Sequence, residues 1–110
     1  MHELSVTVEL VDMVARRVPA DVQVTRVALE IGRLSGVMTS PLRFCFDLVA
    51  AGTSLDGARL DIAEPPGRGR CRRCGADVDL PDLLTPCGCG SHEIELTGGE
   101  EVRITAVEVR

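Results

Sequence analysis

The chain has no tryptophan, no tyrosine and only two phenylalanines. A core built around aromatic rings is therefore excluded, and so is a row of stacking side chains for unpaired bases. Apolar residues still make up 45% of the 110 residues, so the core of one small domain has to come from Val, Leu, Ile and Ala. Lysine is absent as well, and all twelve basic residues are Arg, a bias of coding composition rather than of chemistry. No apolar run approaches the ~20 residues of a membrane span. Acidic residues (Glu3, Glu9, Asp12) interrupt the start where a secretion signal needs a basic end and an unbroken apolar stretch. A cytoplasmic protein without a membrane partner is expected. The net charge of −5 argues against a nucleic-acid partner, because phosphate contacts call for an excess of positive charge.

Hydrophobic spacing outlines the elements. Residues 4–18 carry Leu4, Val8, Val11, Val14/Ala15 and Val18 at helical spacing, with Asp12 and Arg16 as an i,i+4 pair opposite and Pro19 as the stop. Residues 22–31 alternate, with Val27, Leu29 and Ile31 on one face, which predicts a half-buried strand. Ser40-Pro41 resembles an N-cap followed by proline at the first helical position. It opens a helix over 41–51 that buries Leu42, Cys45/Phe46 and Val49 and ends at Gly52. Residues 58–64 alternate again, and Pro65-Pro66-Gly67 form a linker. Residues 101–109 predict a last strand, with a slip near Ala106 that reads as a bulge. The expected class is α+β: two helices packed on a three-stranded sheet, with an inserted zinc-binding loop domain. The expected division is 1–66 plus 93–110 for the main domain and 67–92 for the insertion.

Four of the five cysteines fall within nineteen residues, as Cys71-x2-Cys74 and Cys87-x-Cys89. In a reducing compartment such a cluster points to a metal rather than to disulfides. Two facing turns complete a tetrahedron of thiolates, the donor set of structural zinc. Gly75 and Gly90 follow Cys74 and Cys89 and allow the chain to turn at positive φ beneath the sulfur. The second turn is irregular, because the usual partner of Cys89 would lie at 86, which is Pro86, and the available thiol, Cys87, is one residue closer. The fourth ligand is therefore either Cys87, preferred here, or His92, which stands three residues past Cys89. A closed four-ligand site leaves no position for catalysis, so this Zn(2+) is expected to be structural.

The N-terminus suggests a second metal. His2 places an imidazole beside the amine of Met1, and amine, backbone amide and imidazole nitrogens can close chelate rings around one ion. Planar nitrogen donors suit Ni(II) or Cu(II), and Glu3 adds an amide and a carboxylate. A terminal histidine by itself is more often merely solvated.

Taken together, these residues resemble the HypA/HybF family of hydrogenase maturation nickel chaperones. The resemblance runs along the chain: Met1-His2-Glu3-Leu4-Ser5, Val24-Thr25-Arg26-Val27, Glu30-Ile31-Gly32-Arg33-Leu34-Ser35-Gly36-Val37, Phe44-Cys45-Phe46-Asp47, Leu60-Asp61-Ile62, the two cysteine turns and Gly99-Glu100-Glu101-Val102-Arg103-Ile104. It implies that Met1, His2 and Glu3 hold a transferable Ni(2+) and that Cys71, Cys74, Cys87 and Cys89 hold zinc. It further implies delivery of nickel to the [NiFe]-hydrogenase large subunit precursor with a HypB-type GTPase, and in some relatives to urease maturation proteins. The departure from the family pattern is Cys87-x-Cys89, where C-x2-C is usual.

Two other readings compete. A zinc ribbon that binds a nucleic acid or a protein without nickel transfer would use Arg68, Arg70, Arg72 and Arg73, but the balance over 65–92 is close to neutral. An enzyme would need a nucleophile and base. With two histidines in the chain, no such arrangement is readable, and Cys45 on an apolar helix face is expected in the core.

Overall fold

The computed structural model describes residues 2–110. Its elements run α1 (Glu3–Arg17), β1 (Val24–Ile31), α2 (Thr39–Ala50), β2 (Arg59–Ala63), β3 (Gly67–Cys71), β4 (Asp77–Leu80), β5 (Ile94–Gly98) and β6 (Val102–Val109). They divide into two compact units. The first takes the chain up to Glu30, Val37–Ala63 and Arg103–Arg110, and the second takes Ile31–Gly36 and Glu64–Val102.

The first unit contains both helices and a three-stranded sheet of order β2-β1-β6. Strands β1 and β2 are parallel, with Val27 beside Leu60 and Leu29 beside Ile62. Parallel neighbours need a crossover, and α2 supplies it. Strand β6 runs antiparallel on the other side of β1: the Arg110 N–H reaches the Gln23 carbonyl at 2.9 Å, and the Thr105 hydroxyl reaches the Ala28 carbonyl at 3.3 Å. Five residues on each strand separate these partners, so no extra residue bulges at Ala106. The slip in hydropathy has another cause: Val107 and Val109 are 37% and 52% exposed and lie outside the core.

The core of this unit is aliphatic apart from Phe46, and Leu29, Leu42, Leu55, Val24 and Val27 are fully buried like it. Helix α1 buries Val6, Thr7, Leu10, Val11 and Val14, whereas Leu4 and Val8 are exposed. The buried face is thus rotated from the one that the sequence predicts. Apolar residues nearly encircle this helix, so spacing alone admits both faces. Thr7 is tolerated inside because its hydroxyl donates to the Leu4 carbonyl at 2.8 Å and to the Glu3 carbonyl at 3.1 Å. Helix α2 begins two residues earlier than expected, with Met38 as its N-cap and Pro41 inside the first turn. It buries Leu42, Phe46 and Ala50, while Cys45 and Val49 are half-buried and Phe44 is 67% exposed. Gly52, at φ +77°, follows the C-cap Ala51 as the expected stop.

The second unit has its own three-stranded sheet, in the order β4-β3-β5 with both pairings antiparallel. It extends past the 67–92 insertion anticipated from sequence, because β5 and the strand-like segment around Gly32 pair within it. Strand β3 reads Gly-Arg-Gly-Arg-Cys with burial alternating in step. Its inward positions are glycines because the space is taken: a Cβ on Gly69 would stand 2.5 Å from Ile94 Cγ2, and one on Gly67 2.3 Å from Leu34 Cδ1.

Candidate metal centres

Strand β3 ends at Cys71, and the chain turns back at once. The Gly75 N–H donates to the Cys71 carbonyl at 2.9 Å, and the Cys71 N–H to the Ala76 carbonyl at 2.9 Å. Gly75 carries φ +77°, as the turn beneath Cys74 requires. The second turn repeats the motif: the Gly90 N–H donates to the Cys87 carbonyl at 2.8 Å, the Cys87 N–H to the Ser91 carbonyl at 2.9 Å, and Gly90 takes φ +90°. A Cys-x-Cys step closes this turn as well as a Cys-x2-Cys step closes the first.

The four sulfurs of Cys71, Cys74, Cys87 and Cys89 lie within 4.8 Å of one another. Cys71 Sγ stands 3.7 Å from Cys89 Sγ, and Cys74 Sγ 3.6 Å from Cys87 Sγ. A disulfide requires about 2.05 Å. Four thiolates at the Zn–S distance of about 2.3 Å stand roughly 3.8 Å apart along each edge of their tetrahedron. The donor set and its spacing therefore fit a closed zinc site and not a disulfide pair. Cys71 and Cys87 are buried and Cys74 and Cys89 exposed, so the cluster spans from the interior of the unit to its surface. His92 is exposed and does not belong to the cluster.

The thiols are not equivalent. The Cys74 N–H, 3.5 Å from the Cys71 sulfur, leads the interactions that pull the Cys71 thiol down to about 6, against its own burial. At Cys87 the Cys89 N–H also favours the thiolate, but burial and the neighbouring sulfurs outweigh it and push the thiol up to about 11. A divalent cation would remove this conflict by holding all four as thiolates. Cys87→Ala is expected to cost the protein its zinc, and His92→Ala to leave stoichiometry unchanged. Elemental analysis of the two purified variants checks this, and a zinc-free His92 variant would reverse the assignment.

Three of the four arginines near the first turn have acidic neighbours. In register, Arg68 lies beside Asp79 and Arg70 beside Asp77 and Glu95. Arg72 pairs with Glu95 at 3.3 Å. Acidic cross-strand neighbours of this kind oppose binding to phosphates.

In the first unit, His2 is the N-cap of α1, with extended backbone at φ −78° and ψ 144°, and its side chain is exposed. Its carbonyl accepts the Val6 N–H at 3.1 Å. Helix geometry gives the N–H groups of His2 and Glu3 no intrahelical acceptor, so these nitrogens are spared by the helix. Glu3 is half-buried, and its carboxylate accepts the Met38 N–H at 3.1 Å. That bond, followed by its own N–H, holds the Glu3 carboxyl below the usual carboxylate range. The Met1 amine, the third expected donor, lies outside the described residues. Sequence reasoning did not find the Met38 amide, since a backbone donor leaves no mark on residue type.

The profile of the family described as "Hydrogenase/urease nickel incorporation, metallochaperone, hypA" matches residues 1–109. The chain belongs to this family. Members named hydrogenase maturation factor HypA include one from a Nostoc species, 44% identical over 109 residues that cover 99% of this chain and 96% of that protein. Another, from Dechloromonas aromatica, is 42% identical over 113 residues and covered to 99% on both sides. Among solved structures, the Ni metallochaperone HypA from Helicobacter pylori superposes with a TM-score of 0.66 at 25% identity, over 98% of this chain and 97% of that one. By its description the family is one of metallochaperones, not of enzymes. The four-thiol cluster, the two helices and the paired small sheets are those of an α+β metallochaperone.

Proposed function

We propose that this chain carries Ni(II) at its N-terminus and hands it to the large subunit precursor of a [NiFe]-hydrogenase in the cytoplasm. The observation that carries the reading is the family match from residue 1, which takes in His2 at an exposed helix N-cap. The Met1 amine, the His2 imidazole and the backbone nitrogens of His2 and Glu3 are the donors of choice. A deprotonated amide is an anion, and the positive end of α1 favours negative charge at this spot. Planar nitrogen donors select Ni(II) over hard cations such as Mg(II). Release follows from position, because ligands at a chain end can leave one at a time while α1 stays intact.

Cys71, Cys74, Cys87 and Cys89 would hold a resident Zn(II) that crosslinks the two turns of the second unit. Its role is architectural, since four thiolates leave no open position. A HypB-type GTPase is the expected partner in the transfer, and urease maturation proteins are the alternative client route. Without nickel transfer, the chain would be a zinc ribbon with a purely protein-binding role.

Transfer is directly measurable. Nickel-loaded protein mixed with metal-free large-subunit precursor should pass on its nickel faster than the same concentration of nickel buffered by a small chelator. Equal rates from both sources would reject the carrier role.

A further inference from the structure

Helix α2 lacks a cap of its own. Its N-cap residue, Met38, has no strong side-chain acceptor and makes no side-chain cap bond. In a capping box the residue three positions into the helix is Glu or Gln, and its side chain accepts the N–H of the N-cap residue. Here that position is Pro41, which cannot do so. The part is taken by Glu3 of the other helix, whose Oε2 accepts the Met38 N–H at 3.1 Å across 35 residues of sequence. Glu3 is touched from a second side as well, because the hydroxyl of Thr7, fully buried, is shared between the Leu4 carbonyl at 2.8 Å and the Glu3 carbonyl at 3.1 Å. The residue is thus fixed at its carboxylate and its carbonyl, and its own N–H turns toward the same carboxylate.

We infer that Glu3 is a positioning residue of the nickel site and not one of its carboxylate ligands, an inference that rests on the nickel reading above. Its side chain bolts the first turn of α1 to the start of α2. It thereby holds the His2 and Glu3 amide nitrogens in place for the ion. Recruiting the carboxylate to nickel would uncap α2, so the bond to Met38 persists in the loaded protein.

The test uses three variants of the full chain, titrated with Ni(II). Glu3→Ala should weaken nickel binding about five- to tenfold, the range one cap interaction is worth. Glu3→Gln keeps an oxygen that accepts the Met38 N–H, so it should stay within about twofold of the parent and leave the Ni(II) absorption spectrum unchanged. Met38→Pro removes the donor and leaves the carboxylate, so it should match Glu3→Ala, and the double variant should lose nothing more. A Glu3→Gln protein as weak as Glu3→Ala, with an altered spectrum, would make the carboxylate a ligand and overturn the inference. So would a Met38→Pro protein that folds and binds like the parent. Hydrogen exchange of the Met38 amide in metal-free protein reads the bolt independently: Glu3→Ala should accelerate it and Glu3→Gln should not. Normal exchange behaviour in a parent protein that takes up no nickel would mark failure of the nickel reading itself.

Discussion

Cys74→Ala should leave the purified protein with little or no zinc and melt the β4-β3-β5 sheet, while both helices persist. The parent should carry about one zinc per chain, as a four-thiolate site does. Cys74 is the informative choice because it is exposed, so its removal takes away a ligand and almost no packing. The second unit can ill afford that loss. Few large side chains are buried in it, chiefly Ile31 and Leu80, and the inward positions of β3 are glycines. Structural zinc contributes roughly 10–16 kcal/mol in small peptides, far more than a pair of buried aliphatic side chains at about 1.5–3 kcal/mol each. The first unit has its own core around Phe46, Leu42 and Leu29, and the four clustered cysteines are not part of it. Backbone amide shifts of residues 64–100 should collapse toward random-coil values while the far-ultraviolet helix signal is kept. Acid should act like the mutation, because protons compete with zinc for the thiolates and affinity falls as pH falls. Full zinc content in Cys74→Ala, or an intact sheet without zinc, would remove this centre from its structural role.

What the sequence made legible follows a physical rule. Elements whose burial is written in aliphatic side chains could be read: β1 through Val27, Leu29 and Ile31, β2 through Leu60, and both helices to within about two residues of their observed ends. The small strands could not. In β3 the buried positions are Gly67 and Gly69, so the alternation is one of size and not of hydropathy. The α1 face was ambiguous because Leu4 and Val8 fit the helical period as well as Val6, Leu10 and Val14 do. Cys45 and Val49 were expected inside with Leu42 and Phe46 and are half-buried, beside the face that those two define. The cysteine turns were readable down to the positive φ of Gly75 and Gly90, because the geometry of a two-thiol turn is local. The Glu3–Met38 bond was invisible. It joins a side chain to a backbone amide far away in the chain, and residue type records neither the distance nor the donor.

His2→Ala should abolish specific Ni(II) binding, by more than about a hundredfold, since changes merely adjacent to a metal's ligands already reach that size. The structure makes this a clean experiment. The His2 side chain is exposed and forms no cap bond; only its carbonyl serves α1, by accepting the Val6 N–H at 3.1 Å. Alanine keeps that carbonyl, so the helix signal, thermal stability and zinc content should match those of the parent. The remaining histidine, His92, cannot close the same local chelate rings, because only residue 2 stands next to the Met1 amine in the chain. Extending the chain by a few residues before Met1 should be comparably damaging. It converts the amine to an amide yet adds nothing to the helix, which starts only at Glu3. Amine, amide and imidazole nitrogens must all shed protons to bind, so residual affinity in every variant should fall as pH falls. In a host that makes a [NiFe]-hydrogenase, the His2 variant should accumulate nickel-free large-subunit precursor, partly rescued by excess nickel in the medium. Rescue by nickel, but not by zinc, would separate failed delivery from failed folding. Parent-like Ni(II) affinity in both the substituted and the extended protein would end the terminal-site mechanism, whatever became of the zinc.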